Sequence, residues 1–251
     1  MYYTKINTHI VDFIIAGDKT GIKYLGFDTE RGLNKLKIGE NWVKNHDFFK
    51  ESIKEVQNFF LGKSTNFLTN LSFEGTEFQN KVWSALLTIP FAETRTYKDI
   101  AIQIGNEKAS RAVGMANNKN PISIIIPCHR VIGASGKLVG YAGGLDIKER
   151  LLGFEKMIYT FNKLKENYNI KSSKAKTSFI VDNNTKRFLK RLGFNIPETD
   201  KEFKSMIEGF LAPDFEFYQD YNKLINKHSE KYCKEKPNCE NCFLSNYCKK
   251  K

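Results

Sequence analysis

The placement of cysteine constrains this chain more than any other feature. Four of the five cysteines, Cys233, Cys239, Cys242 and Cys248, follow residue 232 with the spacing C-x5-C-x2-C-x5-C, whereas Cys128 stands alone. The sequence has no apolar stretch of signal-peptide or membrane-spanning length, which predicts a cytoplasmic protein with reduced cysteines. Reduced thiols act as nucleophiles or metal ligands more often than as disulfide partners, so the two groups of cysteine predict two separate chemistries.

The composition indicates a folded, basic chain. Its 251 residues are 41% hydrophobic and 13% aromatic, which suffices for one large domain or two to three small ones. The formal net charge is +12. Clustered lysine and arginine favour a polyanionic partner, so nucleic acid is the leading expectation, with a lysine-rich proteome as the alternative.

Local patterns divide the chain into four parts. Residues 1–72 mix short strands with a helical pattern over 47–61 and predict a small α/β unit. Residues 73–157 open with a core-facing helix from Phe78 that stops at Pro90. Residues 158–177 are predicted as a linker, and 178–251 as an all-α tail with helices after Asp182, over 201–210 and over 220–232. The fold class is therefore α+β.

A helix-turn-helix, similar to a winged helix, is expected ahead of Cys128. Thr96 can cap a helix over 97–104, Gly105 can end it, and Asn106 can cap a second helix ending near Asn117. The second helix is rich in small residues, which suits close approach either to the protein core or to a DNA backbone. Its candidate DNA-contacting residues are Lys108, Ala109, Ser110, Arg111 and Gly114.

Cys128 follows the apolar run Ile124–Ile126, which predicts a buried strand that Pro127 ends. A thiol reacts as the thiolate and needs a base or a positive field to form it, and the adjacent His129 can supply the base. The alternative is a structural cysteine beside a core histidine.

The stretch "NNKNPISIIIPCHRVIGASGKLVGYAGGLDIKERLLGFE" resembles the active-site half of the O6-alkylguanine-DNA alkyltransferases, with Asn-x-x-Pro, Pro-Cys-His-Arg-Val and Gly-Tyr-x-Gly-Gly in order. The likeness covers residues 1–157, most strongly from Phe73. It implies that Cys128 is the alkyl acceptor, that His129 is a water-linked base oriented by Glu155, and that no cofactor is needed for transfer.

The same resemblance implies further roles. Asn120 would brace the loop, Tyr97 would contact the flipped base and help protonate the departing guanine, and Arg111 would fill the gap left in the duplex. The base pocket would be lined by Val131, Tyr141 and Ala142. One departure is Glu107, where the family usually has proline; it bears on DNA affinity rather than on the chemistry.

The four-cysteine tail predicts a common metal centre rather than four structural thiols. Its cysteine spacing, with Lys-Pro before Cys239, resembles the iron-sulfur loop of endonuclease III-type DNA glycosylases over residues 177–251, although the first gap is one residue shorter. The resemblance implies a 4Fe-4S cluster, with zinc as the alternative. It places Asp182 where those enzymes carry an aspartate, but the helix-hairpin-helix and its lysine are missing from the sequence, so an N-cap role is favoured.

Together these features predict DNA repair by single-turnover transfer of an alkyl group from O6-alkylguanine, with O4-alkylthymine as a further substrate. The expected partner is duplex DNA carrying the lesion, with no membrane contact, and a monomer is expected. The tail is predicted to be an accessory DNA-binding module without glycosylase activity. The alternatives are a bifunctional alkyltransferase and endonuclease III-like protein, or a DNA-binding regulator that senses alkylation or redox state.

Overall fold

The computed structural model describes residues 1–29, 38–169, 179–211 and 218–248. They form two compact units, Met1–Leu152 and Gly153–Lys251. Within these residues no helix combines the length and the apolar character that crossing a membrane requires.

The first unit begins with a four-stranded sheet. The strands β1 (Tyr2–Ile6), β2 (Phe13–Asp18), β3 (Gly21–Phe27) and β4 (Val43–Lys44) lie in the order β3-β2-β1-β4, and only β4 runs parallel to its neighbour. Helix α1 (Lys50–Phe60) follows a single 3-10 turn and buries Ile53, Val56 and Phe60. The small α/β unit predicted from the sequence is confirmed.

Helix α2 (Glu77–Leu87) anchors the second half of this unit. A capping box between Thr76 and Gln79 starts the helix, which ends before Pro90 as predicted. Trp83 is buried on α2, and its indole nitrogen donates to the Ala116 carbonyl oxygen at 3.0 Å. This bond fixes α2 against the segment that carries Ala116.

The predicted helix-turn-helix is present. Thr96 and Asp99 form a capping box at the start of α3 (Tyr97–Gln103), and Gly105 has a φ of 75°, in the left-handed region where glycine is favoured. Helix α4 covers Ser110–Asn118. The prediction for Asn106 was wrong: it precedes a 3-10 turn over Glu107–Ala109 and makes no side-chain cap.

The strand predicted over Ile124–Ile126 is also wrong. These residues form a tight turn in which Ile124 has a φ of 71°, and the amide of Ile126 donates to the Ile122 carbonyl at 3.0 Å. All three isoleucines are buried. The apolar run therefore reflects burial on every side and not strand pairing, a distinction that a short run without periodicity does not reveal.

Residues 158–168 are not a linker, contrary to the sequence prediction. They belong to helix α5 (Leu145–Tyr168), and residues 170–177 lie outside the described part of the chain. Buried apolar side chains recur at helical spacing from residue 154 to residue 164, namely Phe154, Met157, Ile158, Phe161 and Leu164. Their burial explains why the helix continues through a lysine-rich sequence.

The described part of the second unit is helical, as predicted. Helices α6 (Asn183–Arg191), α7 (Asp200–Phe210) and α8 (Tyr218–Lys231) are followed by the cysteine loop and a 3-10 turn over Ser245–Tyr247. A capping box between Thr199 and Glu202 starts α7. Residues 179–182, which precede α6, form neither helix nor strand.

Candidate active site and nucleic-acid interface

Cys128 begins a 3-10 turn over Cys128–Arg130 and is buried. Its amide donates to the Ile126 carbonyl at 2.8 Å. Arg130 is buried as well, and its guanidinium donates to the Ile89 carbonyl at 2.7 Å. The turn is thus tied to the segment that follows α2, which gives the sulfur a rigid support.

Asn120 holds the sulfur in place. Its side-chain amide donates to the Cys128 sulfur at 3.1 Å and to the Ile126 carbonyl at 2.8 Å, while its oxygen accepts from the Ile122 amide at 3.0 Å. The Asn120 side chain therefore holds both ends of the turn from Ile122 to Ile126 and also directs a hydrogen-bond donor at the Cys128 sulfur.

Two opposing influences act on the Cys128 thiol. Burial raises its pKa because a thiolate is poorly solvated in the protein interior. The hydrogen bond from Asn120, the charge of Lys148 and the backbone amides of Cys128 and His129 all lower it. Burial therefore favours the protonated thiol in the free protein. The groups that would stabilise the thiolate are already placed around the sulfur.

His129 and Glu155 are both fully buried. His129 lies in the first unit beside Cys128, and Glu155 lies in the second unit on α5. Burial of an imidazole and a carboxylate suits a role in proton transfer better than a solvated surface role.

Lys148 is a site residue that the sequence reasoning missed. It lies on α5, is fully buried, and donates through Nζ to the carbonyl oxygens of Val131 at 2.6 Å and Val139 at 3.1 Å. Burial lowers its pKa to about 8, and the charge of Cys128 opposes that shift. The sequence signal that could have revealed its burial is its position among the apolar Ile147 and Leu151 on the inward side of α5.

Tyr97 comes close to the same group. Its hydroxyl donates to the Val139 carbonyl at 3.2 Å, and the Lys148 ammonium lies 6.0 Å from its ring. Burial raises the pKa of Tyr97, and the charge of Cys128 raises it further. The first residue of α3 thus reaches the surroundings of the sulfur, which links the helix-turn-helix to the site.

Two of the three predicted pocket residues, Val131 and Tyr141, lie close to Lys148. Val131 and Tyr141 are buried, the Tyr141 ring lies 5.7 Å from the ammonium, and Ala142 is half-buried on the same loop. A side chain at Gly143 would come within 3.0 Å of the Phe27 ring, so glycine is needed there. The glycine-rich loop can therefore lie directly against the sheet.

A separate cavity of about 500 Å³ opens between residues 65–71, 87–91 and 124–130. Pro127 and Arg130 line it, but Cys128 and Tyr97 do not. It is therefore distinct from the group of residues around the sulfur.

The candidate DNA-contacting residues follow one another along the turn and the start of α4. Lys108 and Arg111 are exposed, whereas Ala109, Ser110 and Gly114 are half-buried. Glu107 pairs with Lys98 of α3 at 3.2 Å. The acidic residue that departs from the family pattern therefore ties the 3-10 turn to α3.

In the second unit the four tail cysteines influence one another electrostatically. Burial raises the pKa of Cys248 to about 11, and the charges of the other three cysteines add to this. Burial likewise raises the pKa of Cys242, with contributions from Cys239 and Cys233. Within the described residues, however, no three His, Cys, Asp or Glu side chains are grouped closely enough to hold a single metal ion.

Asp182 acts as an N-cap, as favoured from the sequence. One carboxylate oxygen accepts from the Thr185 amide at 2.7 Å, and the other accepts from the Asn226 side chain at 3.1 Å. Both oxygens are thus engaged in holding α6 to α8.

A buried cysteine that accepts a hydrogen bond from Asn120 and precedes a histidine, in a unit that also carries a helix-turn-helix, is typical of a DNA-binding protein with a reactive thiol. The family comparisons agree with that class. Residues 1–73 match the family described as 6-O-methylguanine DNA methyltransferase, ribonuclease-like domain, and residues 77–157 match its DNA binding domain.

The relatives identify the family. The methylated-DNA–protein-cysteine methyltransferase of Methanosarcina acetivorans is 54% identical over 155 residues, which cover 62% of this chain and 98% of that protein. The enzyme of the same name from Mycobacterium leprae is 54% identical over 115 residues, covering 46% of this chain and 70% of that protein. The chain belongs to the methylated-DNA–protein-cysteine methyltransferases.

A solved structure supports the same assignment. The crystal structure of Mycobacterium tuberculosis OGT in complex with DNA matches with a TM-score of 0.58 and 42% sequence identity, covering 63% of this chain and 94% of that one. The two family matches together span residues 1–157, and the helical tail follows them.

Proposed function

We propose that this chain repairs DNA by moving the alkyl group of O6-alkylguanine onto Cys128, once per molecule. The observation that carries the proposal is the braced sulfur, which receives a hydrogen bond from Asn120 and lies within the electrostatic influence of Lys148 and Tyr97. Sulfur gives an electron pair to the alkyl carbon while the carbon–oxygen bond breaks. The released pair remains on guanine and is neutralised by a proton.

Each side chain has a role in this scheme. His129 takes the thiol proton through one water molecule, and Glu155 orients the imidazole. Tyr97 contacts the base and helps to protonate the departing guanine. The thioether that forms on Cys128 is not a leaving group, so the protein is consumed by the reaction. Transfer from O4-alkylthymine follows the same chemistry.

The substrate base must leave the duplex to react. Cys128 is buried, and the alkylated oxygen of a stacked guanine faces only the major groove, so the nucleotide has to rotate into a pocket. Arg111, exposed on α4, would fill the gap, and Val131, Tyr141 and Ala142 would line the pocket. Lys108, Ala109, Ser110 and Gly114 would contact the backbone of duplex DNA.

Mass spectrometry after incubation with methylated duplex tests the proposal. We expect one added methyl group, on the peptide that contains Cys128, and no added methyl group in Cys128→Ser protein. The peptides that contain the four tail cysteines are the internal control, because they also carry thiols and should remain without a methyl group. Undiminished transfer to Cys128→Ser protein would refute the assignment.

We infer further that the tail is an accessory DNA-binding module built on a 4Fe-4S cluster. Ligands of one zinc ion each lie about 2.3 Å from the metal and must be tightly grouped. No three His, Cys, Asp or Glu side chains of the described residues are grouped around one such point, which disfavours zinc. The thiolates of a cluster bind separate iron atoms and need not share one centre, so we favour the cluster. Cys233, Cys239, Cys242 and Cys248 would hold the cluster, and metal binding would contribute to folding the loop.

Iron and acid-labile sulfide analysis of anaerobically purified protein tests the cluster, and one zinc per chain would favour the alternative.

No glycosylase step is proposed, because both carboxylate oxygens of Asp182 are occupied, one in the N-cap and one by Asn226. Cleavage at an oxidised pyrimidine by the purified protein would contradict that view.

A further inference from the structure

A histidine and a tyrosine form a chain of hydrogen bonds that ends on one of the tail sulfurs. His228 lies on α8 and is buried. Its Nε2 is 3.5 Å from the Cys242 sulfur, and its Nδ1 is 3.3 Å from the hydroxyl of Tyr168, the last residue of α5. Both ring nitrogens are therefore engaged, one with a sulfur and one with a phenol.

Aromatic rings surround the imidazole on several sides. The rings of Phe243, Tyr232 and Phe188 have centroids 5.2, 5.3 and 5.6 Å from that of His228. Such an enclosure fixes the orientation of the imidazole and keeps competing water away from its nitrogens. With the ring held in this orientation, Nε2 stays directed at the Cys242 sulfur.

A second sulfur also receives a donor. Arg191 on α6 donates from Nη1 to the Cys233 sulfur at 3.2 Å, and from Nη2 to the Glu235 carbonyl at 2.9 Å. Nitrogen atoms from two helices, α6 and α8, therefore lie within hydrogen-bond distance of two tail sulfurs. A guanidinium can only donate, so this contact favours a sulfur that carries negative charge.

We infer that Tyr168 and His228 form a relay that stabilises Cys242 as a metal-bound thiolate and raises the reduction potential of the centre it helps to hold. The inference rests on the cluster proposed above for the four cysteines. A thiolate ligand only accepts hydrogen bonds, so the imidazole must present Nε2–H to it. Nδ1 then accepts from the Tyr168 hydroxyl, and every group in the chain is satisfied.

The expected effect on the potential has a definite sign. Reduction adds one negative charge to the cluster, and hydrogen bonds to the cluster sulfurs help to set its potential. A donor stabilises the more negative, reduced form more than the oxidised form. Removing the donor from His228 should therefore shift the potential to more negative values. His228 acts through Cys242 and is a positioning residue.

Full-length protein carrying the cluster provides the test, with the potential followed by spectroelectrochemistry. His228→Leu removes the donor, whereas His228→Gln retains an amide N–H near the position of Nε2. Tyr168→Phe keeps the ring but removes the hydroxyl that fixes the imidazole. Tyr232→Phe is the matched control, because Tyr232 packs against the same imidazole with its ring.

We expect a more negative potential in His228→Leu and in Tyr168→Phe, recovery in His228→Gln, and no change in Tyr232→Phe. If His228→Leu protein does not hold iron, the reduction potential of Tyr168→Phe protein alone tests the relay. A potential unchanged from that of the wild type in iron-loaded Tyr168→Phe and His228→Leu would overturn the relay and leave the cluster intact. Wild-type protein without iron would overturn the cluster itself, and the relay with it.

Discussion

Replacing Lys148 with methionine tests the electrostatics of the acceptor site. Burial lowers the pKa of this lysine from 10.5 to about 8. Between those two values the unfolded chain still binds a proton that the folded chain has released, so the free energy of unfolding rises with pH. From pH 7 to pH 10 the contribution of this one group is about 2 to 3 kcal/mol, at roughly 1.4 kcal/mol per pKa unit.

The Lys148→Met variant should fold but lack this rise. Losing Nζ removes one donor from the Val131 carbonyl and one from the Val139 carbonyl, which still accepts from Tyr97, and this costs about 1–3 kcal/mol. Methionine also avoids the burial of an ammonium, which saves about 3 kcal/mol near neutral pH. The two effects offset each other, so the variant remains close to wild-type stability at pH 7.

Urea unfolding followed by tryptophan fluorescence provides the measurement, because Trp42 and Trp83 both lie in the first unit. The exposed lysine variant Lys119→Met is the control and should retain the full rise between pH 7 and pH 10. Equal rises in Lys148→Met and wild-type protein would refute the assignment of the rise to Lys148.

The same variant should transfer methyl groups more slowly. The charge of Lys148 lowers the pKa of the Cys128 thiol, so its removal reduces the thiolate fraction at pH 7. Single-turnover rates should recover as the pH rises and the thiolate forms without assistance. A rate at pH 7 equal to that of the wild type would show that Lys148 does not activate the sulfur.

Three further predictions concern residues with defined contacts. Asn120→Ala loses three buried hydrogen bonds and should lower the free energy of unfolding by about 3 kcal/mol, measured with urea, and slow the single-turnover transfer. Lys108→Ala should weaken DNA binding irrespective of sequence, and a fluorescence titration should show the slope of log K against log salt reduced by roughly 0.9. Asp182→Ala should destabilise the second unit by about 1 kcal/mol through loss of the N-cap of α6, seen as a lower thermal midpoint by circular dichroism.

Local chemistry explains which elements could be predicted from the sequence. Thr96 and Asp182 cap helices because their side chains reach an amide within three residues, a property that depends on little else. The left-handed conformation of Gly105 is equally local. These positions were predicted correctly because no distant contact competes with them.

Tertiary contacts explain the failures. The turn at Ile124 depends on hydrogen bonds from Asn120 and on burial from several sides, and neither is visible in three consecutive isoleucines. Residues 158–168 read as linker because lysines separate the buried apolar positions of α5. Lys148 was missed because a buried lysine is rare unless specific acceptors, here two carbonyl oxygens, surround it.

Burial of the acceptor sulfur has a consequence for selectivity. In a reaction that consumes the protein, any adventitious electrophile that alkylates Cys128 wastes one molecule. Burial raises the pKa of the thiol and so keeps its nucleophilicity low in the free protein. Asn120 and Lys148 act in the opposite direction and are already in place when an extruded base arrives. A site open to solvent would lose the increase in thiol pKa that burial causes. A site without Asn120 and Lys148 would lose the stabilisation of the thiolate. On the proposed function, the same buried position would protect the sulfur and reserve it for a base delivered by DNA.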